Sequence, residues 1–108
     1  MDYKKEVLFI NVNESLIKKD VSNFESLVIP VILELKCRDI TINLNINCID
    51  KYGINSIIKI CNLENKFNGN VFINKINNSI RKLLTESNLY DYCTHNEKEN
   101  IYELWKRN

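Results

Sequence analysis

Cysteine and histidine are the residue types in this sequence best suited to metal or redox chemistry, and their spacing argues against both. The four cysteines lie at positions 37, 48, 61 and 93 without a C-x-x-C spacing, and the only histidine is His95. Cys93 and His95 form a C-x-H pair, which supplies too few ligands for a metal site. The sequence suggests no nucleophile–base pair and contains no glycine-rich phosphate loop. We therefore expect reduced thiols, no cofactor, no metal and no enzymatic activity.

The most informative stretch is "CIDKYGINS", residues 48–56, where a strand-like pattern meets the start of an amphipathic helix. A helix N-terminus presents unpaired N–H groups and a partial positive charge. Asp50 is placed to cap those groups, and Gly53 permits a close approach that a side chain would block. Lys51 and Tyr52 are either an ordinary solvated pair or contacts of a partner, since an exposed tyrosine is a common interface anchor. The residues alone leave both interpretations open.

Length and charge narrow the class of protein. The 108 residues suit one compact domain, residues 1–108, and their 44% hydrophobic content can fill a core. Fifteen basic and fourteen acidic residues give a formal charge of +1, which is not the basic footprint of a nucleic-acid-binding protein. No segment has the length of a membrane span, and the N-terminus lacks the apolar stretch of a signal peptide. We expect a cytoplasmic protein without direct membrane insertion.

The sequence predicts a strand, a helix and a second strand before residues 48–56. Residues 6–12 predict a buried strand, and "NESLIKKD" predicts a polar connection in which Asp20 caps the first helix. Apolar residues recur in that helix at three- and four-residue spacing, and Pro30 inside it predicts a kink or a late start. Residues 40–46 alternate between apolar and polar, which predicts a strand with one apolar face.

The second half of the chain continues the alternation. The second helix is expected to bury Ile54, Ile57, Ile58 and Cys61 and to expose Asn55, Lys59 and Asn62. A turn at residues 68–70, a strand at 71–76, and a helix capped by Asn77 or Asn78 follow, with apolar positions Ile80, Leu83 and Leu84. "LYDYC" predicts a short strand, and the C-terminal segment predicts a helix with Ile101, Leu104 and Trp105 facing inward. The order predicts an α/β domain with a mixed, mostly parallel sheet and alternating amphipathic helices.

The order of elements and two segments resemble a STAS domain of the anti-sigma factor antagonist family, from about Val7 onward. The first segment, "ITINLNINCIDKYGINSII", matches the family's hydrophobic strand, short connection and Asp-x-x-Gly at the start of a helix. The second, "GNVFINKINNSIRKLLTESNLYDY", is similar to the family's glycine turn, strand, helix and Leu-containing ending. The resemblance implies a single STAS-like domain in a bacterial, cytoplasmic regulator of transcription.

Two departures from the family pattern bear on this expectation. Family members that are switched by a kinase usually carry Asp-Ser-Ser-Gly, in which a serine accepts phosphate, but Lys51 and Tyr52 occupy the middle positions here. We therefore expect no serine phospho-switch at Lys51, and none at Ser56, which lies a turn inside the helix. The family's Gly-Glu-Leu-Asp-like segment corresponds to residues 14–17, which have neither the glycine nor the aspartate.

The resemblance implies a non-enzymatic module that binds a kinase-type anti-sigma factor around the Asp-x-x-Gly loop. Carried over by position, the partner-binding residues are Lys18, Asp50, Lys51, Tyr52, Gly53, Asn55 and Asn77. The alternative is a cytoplasmic STAS subunit bound to the ATPase of a lipid-transport ABC system, which shares the fold and the size. An enzyme is the third and least favoured interpretation.

Overall fold

The structure, a computed structural model, describes residues 1–4, 7–36, 38–74, 77–87 and 89. Its elements are β1 (Asp2–Lys4), β2 (Val7–Leu16), α1 (Lys18–Leu35), β3 (Asp39–Ile49), α2 (Lys51–Lys66), β4 (Asn70–Asn74) and α3 (Asn78–Glu86). The strand expected in "LYDYC" and the C-terminal helix with Ile101, Leu104 and Trp105 lie outside the described residues. Cys93 and His95 lie outside them too.

The four strands form one sheet in the order β1-β2-β3-β4. β1 runs antiparallel to β2, whereas β2, β3 and β4 are parallel to one another. Parallel neighbours need a crossover connection, and α1 and α2 each provide one. The prediction of a mixed, mostly parallel sheet with alternating helices is therefore confirmed.

One face of the sheet is apolar and packs against the helices. Two rows cross the three parallel strands in register, formed by Leu8, Ile40 and Val71 and by Ile10, Ile42 and Ile73. Each of these side chains is at most 2% exposed. The helices add to the same cluster with Phe24, Val28, Ile32, Ile57, Ile60 and Cys61. This layer fixes where the starts of α1 and α2 lie, because both helices are held against it.

The opposite face of the sheet carries a row of asparagines. Asn11, Asn43 and Asn74 are in register, and the Asn43 side-chain amide donates to Oδ1 of Asn11 at 2.9 Å. In the neighbouring row Thr41 and Phe72 are buried. The alternation in β3 is therefore as predicted for Leu44 to Asn47, where the apolar residues are buried and the asparagines exposed, whereas Thr41 is as inaccessible as the isoleucines beside it.

The connection between β2 and α1 is shorter than predicted. β2 continues to Leu16 and α1 begins at Lys18, so residues 13–16 belong to the strand and not to a polar loop. Asp20 is therefore not the cap but a residue of the first helical turn. Its carboxylate accepts the backbone N–H of Ile17 at 3.0 Å and the hydroxyl of Ser15 at 2.7 Å. These two bonds hold the pKa of Asp20 below its ordinary value and keep a negative charge at the positive end of the helix.

Glu14 occupies a strained position in β2. The register with β3 shifts between Glu14 and Ser15, and Glu14 has a φ of 73°, a region that glycine adopts without strain. We expect Glu14→Gly to raise the free energy of unfolding by ~1 kcal/mol, because a β-carbon in this conformation costs roughly 1–2 kcal/mol. Urea denaturation measures the change. Glu14→Ala keeps the β-carbon and should bring no gain, so equal stability of the two variants would contradict a backbone origin.

α1 passes through Pro30 without interruption. It begins at Lys18, so the prediction of a late start is wrong. Pro30 and Ser26 are both exposed, and the carbonyl of Ser26, which proline cannot bond, lies on the solvent side of the helix where water can hydrate it. Among the described residues no helix has the length and apolar composition needed to cross a membrane.

The buried faces of α2 and α3 differ in detail from the prediction. In α2 the predicted faces are confirmed at Ile54, Ile57, Cys61, Asn55, Lys59 and Asn62. Ile58 is only half-buried, and the fully buried position beside it is Ile60. In α3 Leu84 and Ile80 are buried, whereas Leu83 is 43% exposed. Three- and four-residue spacing fits more than one face of a short helix, so the sheet decides which isoleucine or leucine is covered.

A buried carboxyl group near the end of α2 was not expected from the sequence. The Glu64 side chain is fully buried, and neither of its oxygens has a hydrogen-bond partner among the described residues. Burial, with a further contribution from the Asp39 carboxylate, raises the pKa of Glu64 to about 7. A β-carbon added to Gly69 would overlap with the Glu64 side chain and the Arg38 carbonyl oxygen. Gly69 therefore makes room for this carboxyl group.

Candidate functional site

A single carboxylate joins the starts of two helices. Asp50 is the one residue between β3 and α2, and its Oδ1 accepts the backbone N–H groups of Tyr52 and Gly53, each at 3.0 Å. Its Oδ2 accepts the backbone N–H of Lys18 at 2.9 Å. The expected cap of α2 is thus present, and the same group also binds the start of α1, 32 residues earlier in the chain.

The charge of Asp50 is stabilised by these contacts. Partial desolvation acts to raise the pKa of its carboxyl group, but the N–H groups of Gly53, Lys18 and Tyr52 outweigh it and hold the pKa below the ordinary value. Because two helix N-termini converge on the group, their partial positive charges favour the carboxylate as well. Each of the three N–H groups bonds more strongly to the carboxylate than to the protonated acid. Because the pKa of Asp50 is lowered, the carboxylate is the form present at neutral pH.

Lys51 and Tyr52 do not lie in a loop, because α2 begins at Lys51. We call residues 50–53 the Asp50 turn. Tyr52 is 40% exposed, and the ammonium groups of Lys18 and Lys51 lie 5.1 Å and 5.2 Å from the centroid of its ring. Both distances are within the range of cation–π attraction. The turn therefore presents an aromatic ring with two positive charges close to it.

Gly53 is required by packing and not by an unusual dihedral angle, since no glycine in the described part of the chain has a positive φ. A β-carbon at this position would overlap with the carbonyl oxygen of Leu16 and would lie 2.9 Å from Cγ1 of Ile49. The absence of a side chain lets the first turn of α2 lie directly on the end of β2. Gly53 is buried, so its part in the site is to position its neighbours.

Comparison with known proteins gives matches in structure and none in sequence. No family model matches the chain, and no curated protein matches it. A sulfate transporter family protein from Wolinella succinogenes is similar with a TM-score of 0.74 and 9% identity, over 91% of this chain and 79% of the other. The protein TM1081 has a TM-score of 0.75 and 17% identity, over 87% and 76%. The anti-sigma factor antagonist SpoIIAA in its unphosphorylated form has a TM-score of 0.67 and 14% identity, over 79% and 78%.

The protein has a STAS fold. The fold expected from the two sequence segments is therefore confirmed. The Asp50 turn follows β3, the second of the three parallel strands, as the segment "ITINLNINCIDKYGINSII" predicts. At the turn, the ammonium groups of Lys18 and Lys51 both lie near the ring of Tyr52.

The hydroxyl of Ser56 in α2 is engaged within the fold. Ser56 is buried, and its hydroxyl donates to Oε2 of Glu25 at 2.7 Å. Lys59 donates to the other oxygen of Glu25 at 2.9 Å. Desolvation acts to raise the pKa of Glu25, but these two donors keep it below its ordinary value. The arrangement ties α1 to α2, and it leaves the Ser56 hydroxyl without access to solvent.

The two remaining predicted site residues occupy different parts of the surface. Asn55 is exposed on α2, two residues beyond the Asp50 turn. Asn77 caps α3, where its Oδ1 accepts the N–H of Ile80 at 2.8 Å, and its side-chain amide donates to the Ile46 carbonyl at 3.2 Å. Asn77 therefore has a structural task in joining α3 to β3, although it is exposed as well.

Proposed function

We propose that this chain is a non-enzymatic protein-interaction module of the kind to which SpoIIAA belongs, and that it binds a kinase-type anti-sigma regulator through the surface around the Asp50 turn. The observation that carries the proposal is the exposed Tyr52 ring with the ammonium groups of Lys18 and Lys51 close to it. Partly exposed aromatic side chains on a rigid base are typical interface anchors. Here the rigid base is the Asp50 carboxylate, which bonds the starts of α1 and α2 to each other.

Binding without a serine phospho-switch follows from the residues at the turn. A phosphate at a helix N-terminus would bring about two negative charges to the docking surface. Lys51 places a positive charge there instead, and the Ser56 hydroxyl is buried against Glu25. A serine phosphate is therefore not expected to change the charge of this surface, whereas phosphate found on Ser56 or Tyr52 by intact mass spectrometry would contradict a surface with one charge state.

The groups at the turn support binding better than catalysis. Both oxygens of Asp50 already accept backbone N–H groups, so this carboxylate is not available as a general base. Ser56 donates to a carboxylate but lies where no substrate can reach it. For these reasons we assign the site a docking role.

The test is binding of the purified chain to a kinase-type anti-sigma regulator and, separately, to the ATPase of a lipid-transport ABC system, each taken from the same organism. Tyr52→Ala should weaken binding by ~2 kcal/mol or more, because it removes the central anchor. Lys51→Glu should weaken binding too, and more strongly at low salt, because the change is electrostatic. Isothermal titration at two salt concentrations measures both effects, and melting curves should show that the two variants fold as wild type does.

Lys82→Glu on α3 is the matched control, since it makes the same charge change at another exposed position. It should bind like wild type. If Tyr52→Ala and Lys51→Glu also bind like wild type, the Asp50 turn is only a helix cap and the proposed surface is wrong. If the ATPase binds and the kinase-type regulator does not, the partner class changes to a transporter subunit.

A further inference from the structure

The solvent-facing side of α2 is uniformly without negative charge. Its exposed residues are Lys51, Tyr52, Asn55, Lys59, Asn62, Asn65 and Lys66. The single acid of the helix is Glu64, which is fully buried. Lys59 is paired with Glu25, whereas Lys66 forms no ion pair with the described residues. The helix therefore presents a positive stripe that starts at the Asp50 turn and continues to its last residue.

An apolar groove accompanies this stripe. It has a volume of about 550 Å³, and its lining consists of apolar, cationic and amide side chains: Ile29 of α1 and Asn55, Ile58, Lys59, Asn62, Leu63 and Lys66 of α2. The three apolar side chains are half-buried, so part of each remains in contact with solvent. The groove is open along its length. It thus offers an apolar floor and a cationic edge, and no acidic residue of the described chain lines it.

We propose that this groove receives an acidic amphipathic helix of the partner protein. The partner helix would place its apolar side chains on Ile29, Ile58 and Leu63, and its carboxylates against Lys66 at one end and Lys51 at the other. α2 has 16 residues, so the stripe is about 24 Å long, which matches a partner helix of four to five turns. Charge complementarity favours this occupant, because Lys51 and Lys66 would attract carboxylates and would repel a basic helix. The inference rests on the proposed function and adds the chemistry of the partner to it.

The experiment uses the full chain, labelled with ¹⁵N, and two synthetic helical peptides of the length of α2. The acidic peptide carries leucines at three- and four-residue spacing with glutamate and alanine elsewhere, and the basic peptide has lysine for every glutamate. We expect the acidic peptide to bind at least ~10-fold more tightly at low salt, with the preference falling as salt is added. Amide shifts should map to Ile29, Ile58, Leu63 and their neighbours. Equal affinity for both peptides, or shifts confined to β4 and α3, would overturn the inference.

Charge-reversal variants test whether the acidic peptide binds in the groove. Lys66→Glu should weaken binding of the acidic peptide roughly fivefold or more, whereas Lys82→Glu on α3 should leave it unchanged. If both variants weaken binding equally, the peptide senses only net charge and the inference fails. Failure here is distinguishable from failure of the proposed function. A native partner that is lost with Tyr52→Ala but kept with Lys66→Glu would support docking at the Asp50 turn and reject the groove.

Discussion

Raising the pH from 4.5 to about 7 should lower the free energy of unfolding by about 3 kcal/mol through Glu64 alone. The pKa of this buried group is about 7 in the folded chain, whereas an ordinary glutamate in the unfolded chain titrates near 4.3. Between these values the folded state holds a proton that the unfolded state has lost, so stability falls as the pH rises. Above the folded-state pKa the loss is complete. Urea unfolding at a series of pH values measures this slope.

Glu64→Gln isolates the contribution of this group. The variant is neutral at every pH, so it should lose the fall between pH 4.5 and 7 and should be more stable than wild type at pH 8. Glu86→Gln, at an exposed position of α3, should keep the wild-type profile. Asp39 is the charged group that contributes to the raised pKa, so Asp39→Asn should end the fall in stability at a lower pH and make the total loss smaller. An unchanged profile in Glu64→Gln would show that other groups cause the pH dependence.

Gly53→Ala should destabilise the fold by ~3 kcal/mol or more, the upper end of what overpacking costs. The added methyl group would overlap with the Leu16 carbonyl oxygen, and a backbone atom cannot move aside as the end of a flexible side chain can. To relieve the contact, α2 must shift away from β2, which would also stretch the bonds that Asp50 makes to both helices. Thermal and urea unfolding measure the loss.

Asn55→Ala is the matched control, because it lies two positions further along α2 at an exposed site. It should change the free energy of unfolding by no more than ~0.5 kcal/mol. If Gly53→Ala is as stable as this control, the first turn of α2 does not pack as closely on β2 as described. If the variant folds but no longer binds the partner, the position of the turn matters for the site itself.

The sequence predicts the order of elements well because their patterns are local. The alternation in residues 40–46 and the spacing in α2 locate both elements, and Asp50 lies where a cap belongs. The errors arise where tertiary contacts override local preference. Residues 13–16 look like a polar connection, yet they extend β2 because β3 beside them offers backbone partners. Asp20 has the residue type of a cap but lies inside the first turn of α1.

The site is only partly predictable from the sequence, because some of its contacts join residues that are far apart in the chain. Tyr52 and Lys51 are neighbours, so their exposure at the start of a helix could be predicted. The bond from Lys18 to Asp50 joins positions 32 residues apart, and spacing carries no information about it. The burial of Glu64 likewise has no local signal, because glutamate is a good helix former and is usually exposed. A glycine five residues later, at Gly69, is the one sequence feature that makes its burial sterically possible.

The double cap by Asp50 also determines how this end of the molecule opens. Helix ends ordinarily fray one at a time, each with its own small free energy of local unfolding. Here the first turns of α1 and α2 share one acceptor group, the Asp50 carboxylate. If α1 opens at Lys18, the carboxylate is held less firmly and caps α2 less well. If α2 opens at Tyr52 and Gly53, α1 loses support from the same carboxylate. The two helix starts therefore form one cooperative unit of local unfolding. If a partner docks at Tyr52 as proposed, it would meet a unit that is already ordered, and binding would cost little conformational entropy.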